Sequence, residues 1–268
     1  MNHKSLFEVE TSIRSRLSGG LKGSRKDVSG LEFEEVREFD LGDLESSLHL
    51  GASARAGRDM VVVRIPDRRV EITLVIDTTA SMFFGALGAT KYDAALRMLL
   101  VAAQVAKENQ AKLTIRYHAG TPSRTYLSEF PIRPGTTDGV KKQFAKFVNS
   151  LSEDSRARTF DLREALQSLV LRGKHQTLLV VVVSDFLYTA DYEESLRALL
   201  LKKNTVVGVA TLDSAEIALP SLRLGAFRVT DSETGATALM ARSPNHYLDA
   251  HRALWTNLRA TLEVVHLE

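Results

Sequence analysis

The run VEITLVI (70–76) opens the stretch VEITLVIDTTAS (70–81) and stops at an aspartate. Its aliphatic and β-branched content predicts a strand buried on both faces. Three hydroxyl side chains, Thr78, Thr79 and Ser81, follow Asp77 within four positions. Downstream, KYDAALRMLLVAAQVAKEN (91–109) carries apolar residues at helical spacing among strong helix formers. KLTIRYHA (112–119) and RTYLSEF (124–130) read as two strands, and their short link predicts an antiparallel hairpin. Helices follow at about 138–151 and at 161–171, with Thr159 as a cap for the second. QTLLVVVVSDF (176–186) is the clearest buried strand, followed by a helix near 191–202 and the strand TVVGVATL (205–212). A hairpin over 227–240, a helix near 246–260 and a strand near 262–266 complete the pattern.

This alternation predicts an α/β fold: a doubly wound, mainly parallel, Rossmann-type sheet with flanking helices over residues 70–268. Residues 1–69 are richer in charge and glycine. They predict an N-terminal extension packed on that domain, with LFEVETSIRSRL (6–17) as a short amphipathic helix and LSGGLKGSRKDVSGLEF (17–33) as loop.

The 268 residues are 44% hydrophobic and 25% charged, with a net charge of +2, so charge gives no reason to expect a nucleic-acid or acidic-membrane partner. The absence of cysteine excludes disulfides, thiolate metal sites and thiol catalysis, and fits a cytoplasmic location. The start, MNHKSLFEVETSIRSRL, lacks the apolar core of a signal peptide, and windows such as TLLVVVVSDF are too short to span a bilayer.

Ligands of doubly wound sheets bind at the carboxyl ends of the strands, where the strand order reverses. Asp77 and Asp185 both end strands, and if those strands are neighbours the two carboxylates face one small volume. Anions that close repel unless a cation lies between them. Thr79 and Ser81 add hydroxyl oxygens from the turn after Asp77, and Thr159 adds one from a later loop. Such hard oxygen donors suit octahedral Mg²⁺ at about 2.1 Å, or Mn²⁺.

Asp-x-Thr-x-Ser (77–81), Thr159 and Asp185, in this order, resemble the metal-ion-dependent adhesion site of von Willebrand factor A domains. The resemblance implies direct ligation by Thr79 and Ser81. It implies ligation by Thr159 directly or through water, and by Asp77 and Asp185 largely through water. The usual first motif has serine where this chain has Thr79, which keeps the hydroxyl. GLEF (30–33), Arg37, Gly42-Asp43 and Ser53-Ala54-Arg55 further resemble the bacterial von Willebrand A-like family filed as "domain of unknown function 58", over roughly residues 18–190. Members of that family often accompany MoxR-type AAA+ ATPases. Where the family usually has a second aspartate, an arginine and Ile-Asp-Trp, this chain has Leu44, Ser46 and Leu48-His49-Leu50. Many relatives also carry membrane helices.

Blander readings stand beside these. An Asp/Ser/Thr turn can simply cap the next helix. Lys91 and Asp93 read as a solvated first turn of helix 91–109, and EFEEVREFD (32–40) as a solvated edge. The glycines at 19, 20, 23 and 30 lack the Gly-Lys-Ser/Thr of a phosphate loop. His246 and His251 lack zinc-ligand spacing, and Trp255 reads as core.

Three functions compete. The first is a non-catalytic, metal-dependent protein-interaction module, which the resemblance narrows to an adaptor for a MoxR-type ATPase in protein maturation or assembly. Its partner donates an Asp or Glu to the metal. The second is a Mg²⁺-dependent phosphohydrolase using Asp77, disfavoured because the acid/base aspartate expected two residues on is Thr79. The third is a scaffold with an empty metal site.

Overall fold

The computed structural model describes residues 5–25, 33–40, 48–64, 69–83, 85, 90–121, 124–151, 160–171, 176–188, 190–213, 228–230, 237–239 and 244–267. In chain order the elements are α1 (Leu6–Arg25), β1 (Phe33–Glu38), α2 (Leu50–Ala56), β2 (Met60–Arg64), β3 (Arg69–Ile76), a 3-10 turn (Ala80–Phe83) and α3 (Lys91–Asn109). Then come β4 (Lys112–Thr121), β5 (Arg124–Ile132), α4 (Thr137–Ser150), α5 (Leu162–Val170), β6 (Gln176–Ser184), α6 (Glu193–Leu201) and β7 (Thr205–Asp213). The chain continues through β8 (Arg228–Thr230), β9 (Thr237–Leu239), α7 (Pro244–Asn257) and β10 (Thr261–Leu267).

Six strands form the main sheet in the order β10-β7-β6-β3-β4-β5. All neighbours run parallel except β4 and β5, which form the expected antiparallel hairpin. The period-2 geometry of a strand sends successive side chains to opposite faces, and β6 shows the result. Leu179, Val181 and Val183 enter one core with α1, α3 and α4, whereas Leu178, Val180 and Val182 enter a second core with α5, α6 and α7. An uninterrupted valine run is what burial on both faces requires. Helices on both faces make this a doubly wound α/β fold. Its order reverses at β3, since β4 lies on one side and β6 on the other.

The N-terminal region differs from expectation. Residues 18–25 are helical, so α1 runs 20 residues through the glycines instead of ending in a loop. Val9, Ile13 and Leu17 of α1 are fully buried at the i, i+4, i+8 spacing of one helical face. Gly20 is there for clearance. A Cβ on it would lie 2.7 Å from both Leu179 Cδ2 and Thr205 Oγ1, so only a residue without a side chain lets the helix approach the sheet this closely. Gly19 meets nothing within 4 Å. On the other face, Gly208 gives the same clearance to Trp255 and Leu262.

Antiparallel β1 and β2 form a separate two-stranded sheet, and β8 and β9 another. His49 Nδ1 accepts from Ala52 N at 3.0 Å and so caps α2, which gives a local role to one of the residues that depart from the family pattern. The cap of α5 is Asp161, whose carboxylate accepts from Glu164 N at 2.9 Å. The expected cap, Thr159, lies outside the described residues.

Gly20→Ala should lower Tm although alanine favours helix, because the new methyl must displace two packed side chains. Gly19→Ala, in open space, should hold or raise stability by up to about 1 kcal/mol. Thermal melts of the two variants side by side check this.

Candidate metal centre

The register of β3 and β6 builds the site. Ile76 pairs with Val183, and Asp77 N donates to Val183 O at 2.9 Å. Asp77 and Asp185 therefore leave adjacent parallel strands at the point where the sheet order reverses. Both are buried, at 1% and 4% exposure. Asp77 Oδ1 accepts from Thr79 N at 2.9 Å and from Thr79 Oγ1 at 2.7 Å. Its Oδ2 accepts from Ser184 Oγ at 2.7 Å.

These bonds orient the turn. The single hydroxyl hydrogen of Thr79 goes to Asp77, so Ser81 Oγ donates across the 3.0 Å between it and Thr79 Oγ1. Thr78 turns the other way and donates to His118 O on β4 at 3.0 Å. Burial pushes the Asp77 carboxyl up to about 6, with help from the neighbouring charge of Asp185 and against the bonds from Thr79 and Ser184. An ionised Asp77 is thus held against a cost that a nearby cation lowers.

Thr79 and Ser81 come together with Asp77, and Asp185 shares the same sheet edge. Thr159 lies outside the described residues, but the adjoining Phe160 has its ring 5.6 Å from that of His118 and 6.0 Å from that of Tyr188. Helix α5 behind it is tied to β4 by His118 Nε2, 3.1 Å from Glu164 Oε2, and by Arg116, which bonds Ser168 and also Glu129 on β5.

Lys91 overturns the reading of a solvated first turn. It is fully buried, and its Nζ lies 3.1 Å from Asp185 Oδ2. Its neighbour Asp93 does face solvent, and it accepts from Thr90 N at 2.6 Å to fix the start of α3. A lysine at a helix N-terminus opposes the helix dipole. That is the one signal in the sequence that an anion must hold it. Ser184, the other missed residue, becomes visible only through the strand register.

The loop after β6 is strained and then pinned. Phe186, directly after Asp185, has φ 55°, a left-handed conformation that costs a non-glycine residue about 1 kcal/mol or more. Its buried ring packs edge-on against His251 (5.1 Å) and Trp255 (6.2 Å). His251 Nε2 donates to Tyr188 O at 2.8 Å, so its Nδ1 accepts from the Tyr192 hydroxyl at 2.6 Å, which accepts from Trp255 Nε1 at 2.7 Å. Every polar atom of that chain is used, and α7 thereby holds the segment that carries Asp185.

A sequence model of the family described as "Protein of unknown function DUF58" matches residues 35–257. The chain belongs to the DUF58 family. Similar proteins include uncharacterized proteins of Mycobacterium bovis and Mycobacterium tuberculosis. Each is 26% identical over 259 residues, covering 90% of this chain and 74% of the relative. Among solved structures, an aerotolerance-related membrane protein from Bacteroides fragilis with multiple mutations to serines is 15% identical. It covers 74% of this chain and 92% of its own, with a TM-score of 0.44.

In this DUF58 chain no three His, Cys, Asp or Glu side chains gather as a metal-ligand group among the described residues. A metal here would depend on hydroxyl oxygens beside the two carboxylates. Those oxygens fit the task. Two cis ligands of an ion with bonds of about 2.1 Å lie about 3.0 Å apart, which is the Thr79–Ser81 separation. Both hydroxyl hydrogens are spoken for and Thr79 Oγ1 accepts one of them from Ser81, which leaves one lone pair on Thr79 and two on Ser81 to ligate.

Two predictions follow from this geometry. Asp77→Asn removes a buried charge, worth about 3 kcal/mol at neutral pH. It also turns one acceptor oxygen into an NH2 that cannot accept from Ser184 Oγ, a loss of about 1–3 kcal/mol, so without metal its Tm should equal or modestly exceed wild type. Complete loss of its unfolding transition would make Asp77 a folding residue. The second concerns His251, which burial holds below its usual 6.5. The folded state resists its protonation, so the stability His251 contributes should decline as pH falls below about 6.5 and the unfolded histidine gains its proton, opposite in sign to the contribution of Asp77 near pH 6. His251→Gln should lack that decline. Fluorescence of Trp255, the single tryptophan, reports the transition in both.

Proposed function

We propose that this protein is a non-catalytic interaction module whose contact point is a Mg²⁺ or Mn²⁺ ion at the β3–β6 edge. The observation that carries the proposal is the Thr79–Ser81 hydroxyl pair, 3.0 Å apart and oriented by Asp77, on the sheet edge shared with Asp185. Thr79 and Ser81 would hold the metal directly. Asp77 would orient them and, with Asp185, act through water. Thr159 would complete the set in the manner of the adhesion site that this chain's motif resembles.

When bound, the metal supplies a Lewis-acidic coordination position. Neutral hydroxyls leave it most of its charge, which favours a carboxylate from a partner over an amide or an amine. The partner should therefore present an Asp or Glu at the centre of its interface. Asp77 is a poor candidate for a nucleophile: it is 1% exposed and both its oxygens accept hydrogen bonds. That supports an interaction role over phosphohydrolase chemistry.

As partner class we infer a MoxR-type AAA+ ATPase or its client, with the protein acting as an adaptor in maturation or assembly. This rests on the resemblance of its sequence motifs to that family. The absence of cysteine supports a cytoplasmic site of action. No described helix is long and apolar enough to cross a membrane.

Mn²⁺ titration by paramagnetic relaxation should show weak binding to one site, lost in a Thr79→Val/Ser81→Ala double variant that still unfolds cooperatively, at a Tm lowered by loss of the Thr79 bond to Asp77. A candidate ATPase should be retained on the immobilised protein in Mg²⁺ and released by chelator. Retention should also fail when the central Asp or Glu of the ATPase becomes Asn or Gln. Binding that ignores both chelator and the amide swap would place the contact elsewhere.

A further inference from the structure

Lys91 is paired with one of the two carboxylates that the proposed metal would face. Its ammonium is fully buried, 3.1 Å from Asp185 Oδ2, while Asp185 Oδ1 accepts from Leu187 N at 3.2 Å. A buried lysine is costly unless an anion compensates it, and a buried carboxylate is costly unless a cation does. The pair satisfies both needs. The same chain thus contains a divalent-cation donor set and a tethered monovalent cation bonded to one of its members.

We infer that Lys91 is an internal competitor of the metal, releasing Asp185 when a divalent cation enters and taking it back when the cation leaves. This rests on the metal reading above and adds its regulation. Three observations carry it. Lys91 is the first helical residue of α3, and the Thr90–Asp93 bond fixes that helix start, so its side chain is delivered to Asp185 from a set origin. Asp185 is set from the other side by the strained Phe186 and the α7 aromatic cluster. Asp77 is held by its own donors, with its oxygens accepting from Thr79 and Ser184.

Competition has two consequences. In the absence of metal Lys91 offsets one of the two buried carboxylate charges, that of Asp185, and leaves Asp77 to its hydrogen bonds from Thr79 and Ser184. Metal affinity is also lower than the donor set would give alone, because entry must break a buried ion pair. Loading then becomes dependent on a partner whose carboxylate adds the missing coordination energy. An interaction module that is to release its partner needs such a weak resting site.

The test compares wild type, Lys91→Met and Lys91→Arg, each as the full chain, by Mn²⁺ titration. Lys91→Met should bind Mn²⁺ about tenfold more tightly than wild type, since a unit charge beside the ligand is removed. Lys91→Arg should remain as weak as wild type. Equal affinity in wild type and Lys91→Met would overturn the inference and leave the metal site standing. Weaker binding in Lys91→Met would also overturn it, by making the lysine a supporter of the metal. No binding in any of the three would remove the metal reading and this inference with it.

A second readout uses wild type alone, in case Lys91→Met fails to fold. Reductive methylation with formaldehyde, located by peptide mass spectrometry, should spare Lys91 in chelator and modify it in saturating Mg²⁺. A Lys91 that stays unmodified in both conditions, or is modified in both, contradicts displacement.

Discussion

The in-register pairing of β3 with β6 is the constraint from which the rest of the molecule follows. It sets Asp77 and Asp185 side by side at the carboxyl edge of the sheet, almost out of reach of water. Two carboxylates in that position cannot both stay ionised without positive charge or donated hydrogen bonds. The surrounding residues answer that demand one by one. Thr79 and Ser184 donate to Asp77, Lys91 neutralises Asp185, and the Asp77 carboxyl still rises to about 6. A turn that satisfies an aspartate in this way also leaves a lone pair open on each of two hydroxyl oxygens, so the device that stabilises the edge is the one the proposed metal would use.

The two cores hold this edge rigid from both sides. On one face α1 and α3 pack on the alternate residues of β3 and β6, and the close approach of α1 depends on Gly20. On the other, α7 clamps the loop after β6 through Trp255, Tyr192 and His251, and this absorbs the left-handed backbone of Phe186. Strain at the residue after Asp185, offset by aromatic burial, fits a position where side-chain direction matters more than local stability.

Much of this was legible in the sequence because its signals are local. The valine run 180–183 and the 91–109 periodicity locate β6 and α3, whose observed ends lie within two residues of those expected. Asp77, Thr79 and Ser81 form a contiguous motif, and their mutual bonds span two residues at most. What stayed hidden depends on partners far along the chain. Gly19, Gly20 and Gly23 read as loop because the benefit of a missing side chain at Gly20 lies in Leu179 and Thr205, over 150 residues away. Lys91 read as solvated because its anion is 94 residues downstream. His251 and Trp255 looked unrelated to the site, yet they fix the segment that carries Asp185.

A crystal soaked in Mn²⁺ and measured at the manganese anomalous edge tests the cation site most directly. The proposal predicts one anomalous peak at about 2.1 Å from Thr79 Oγ1 and Ser81 Oγ, with Lys91 Nζ withdrawn from Asp185. A saturating soak that leaves Lys91 on Asp185 and shows no peak between the two hydroxyls would contradict it.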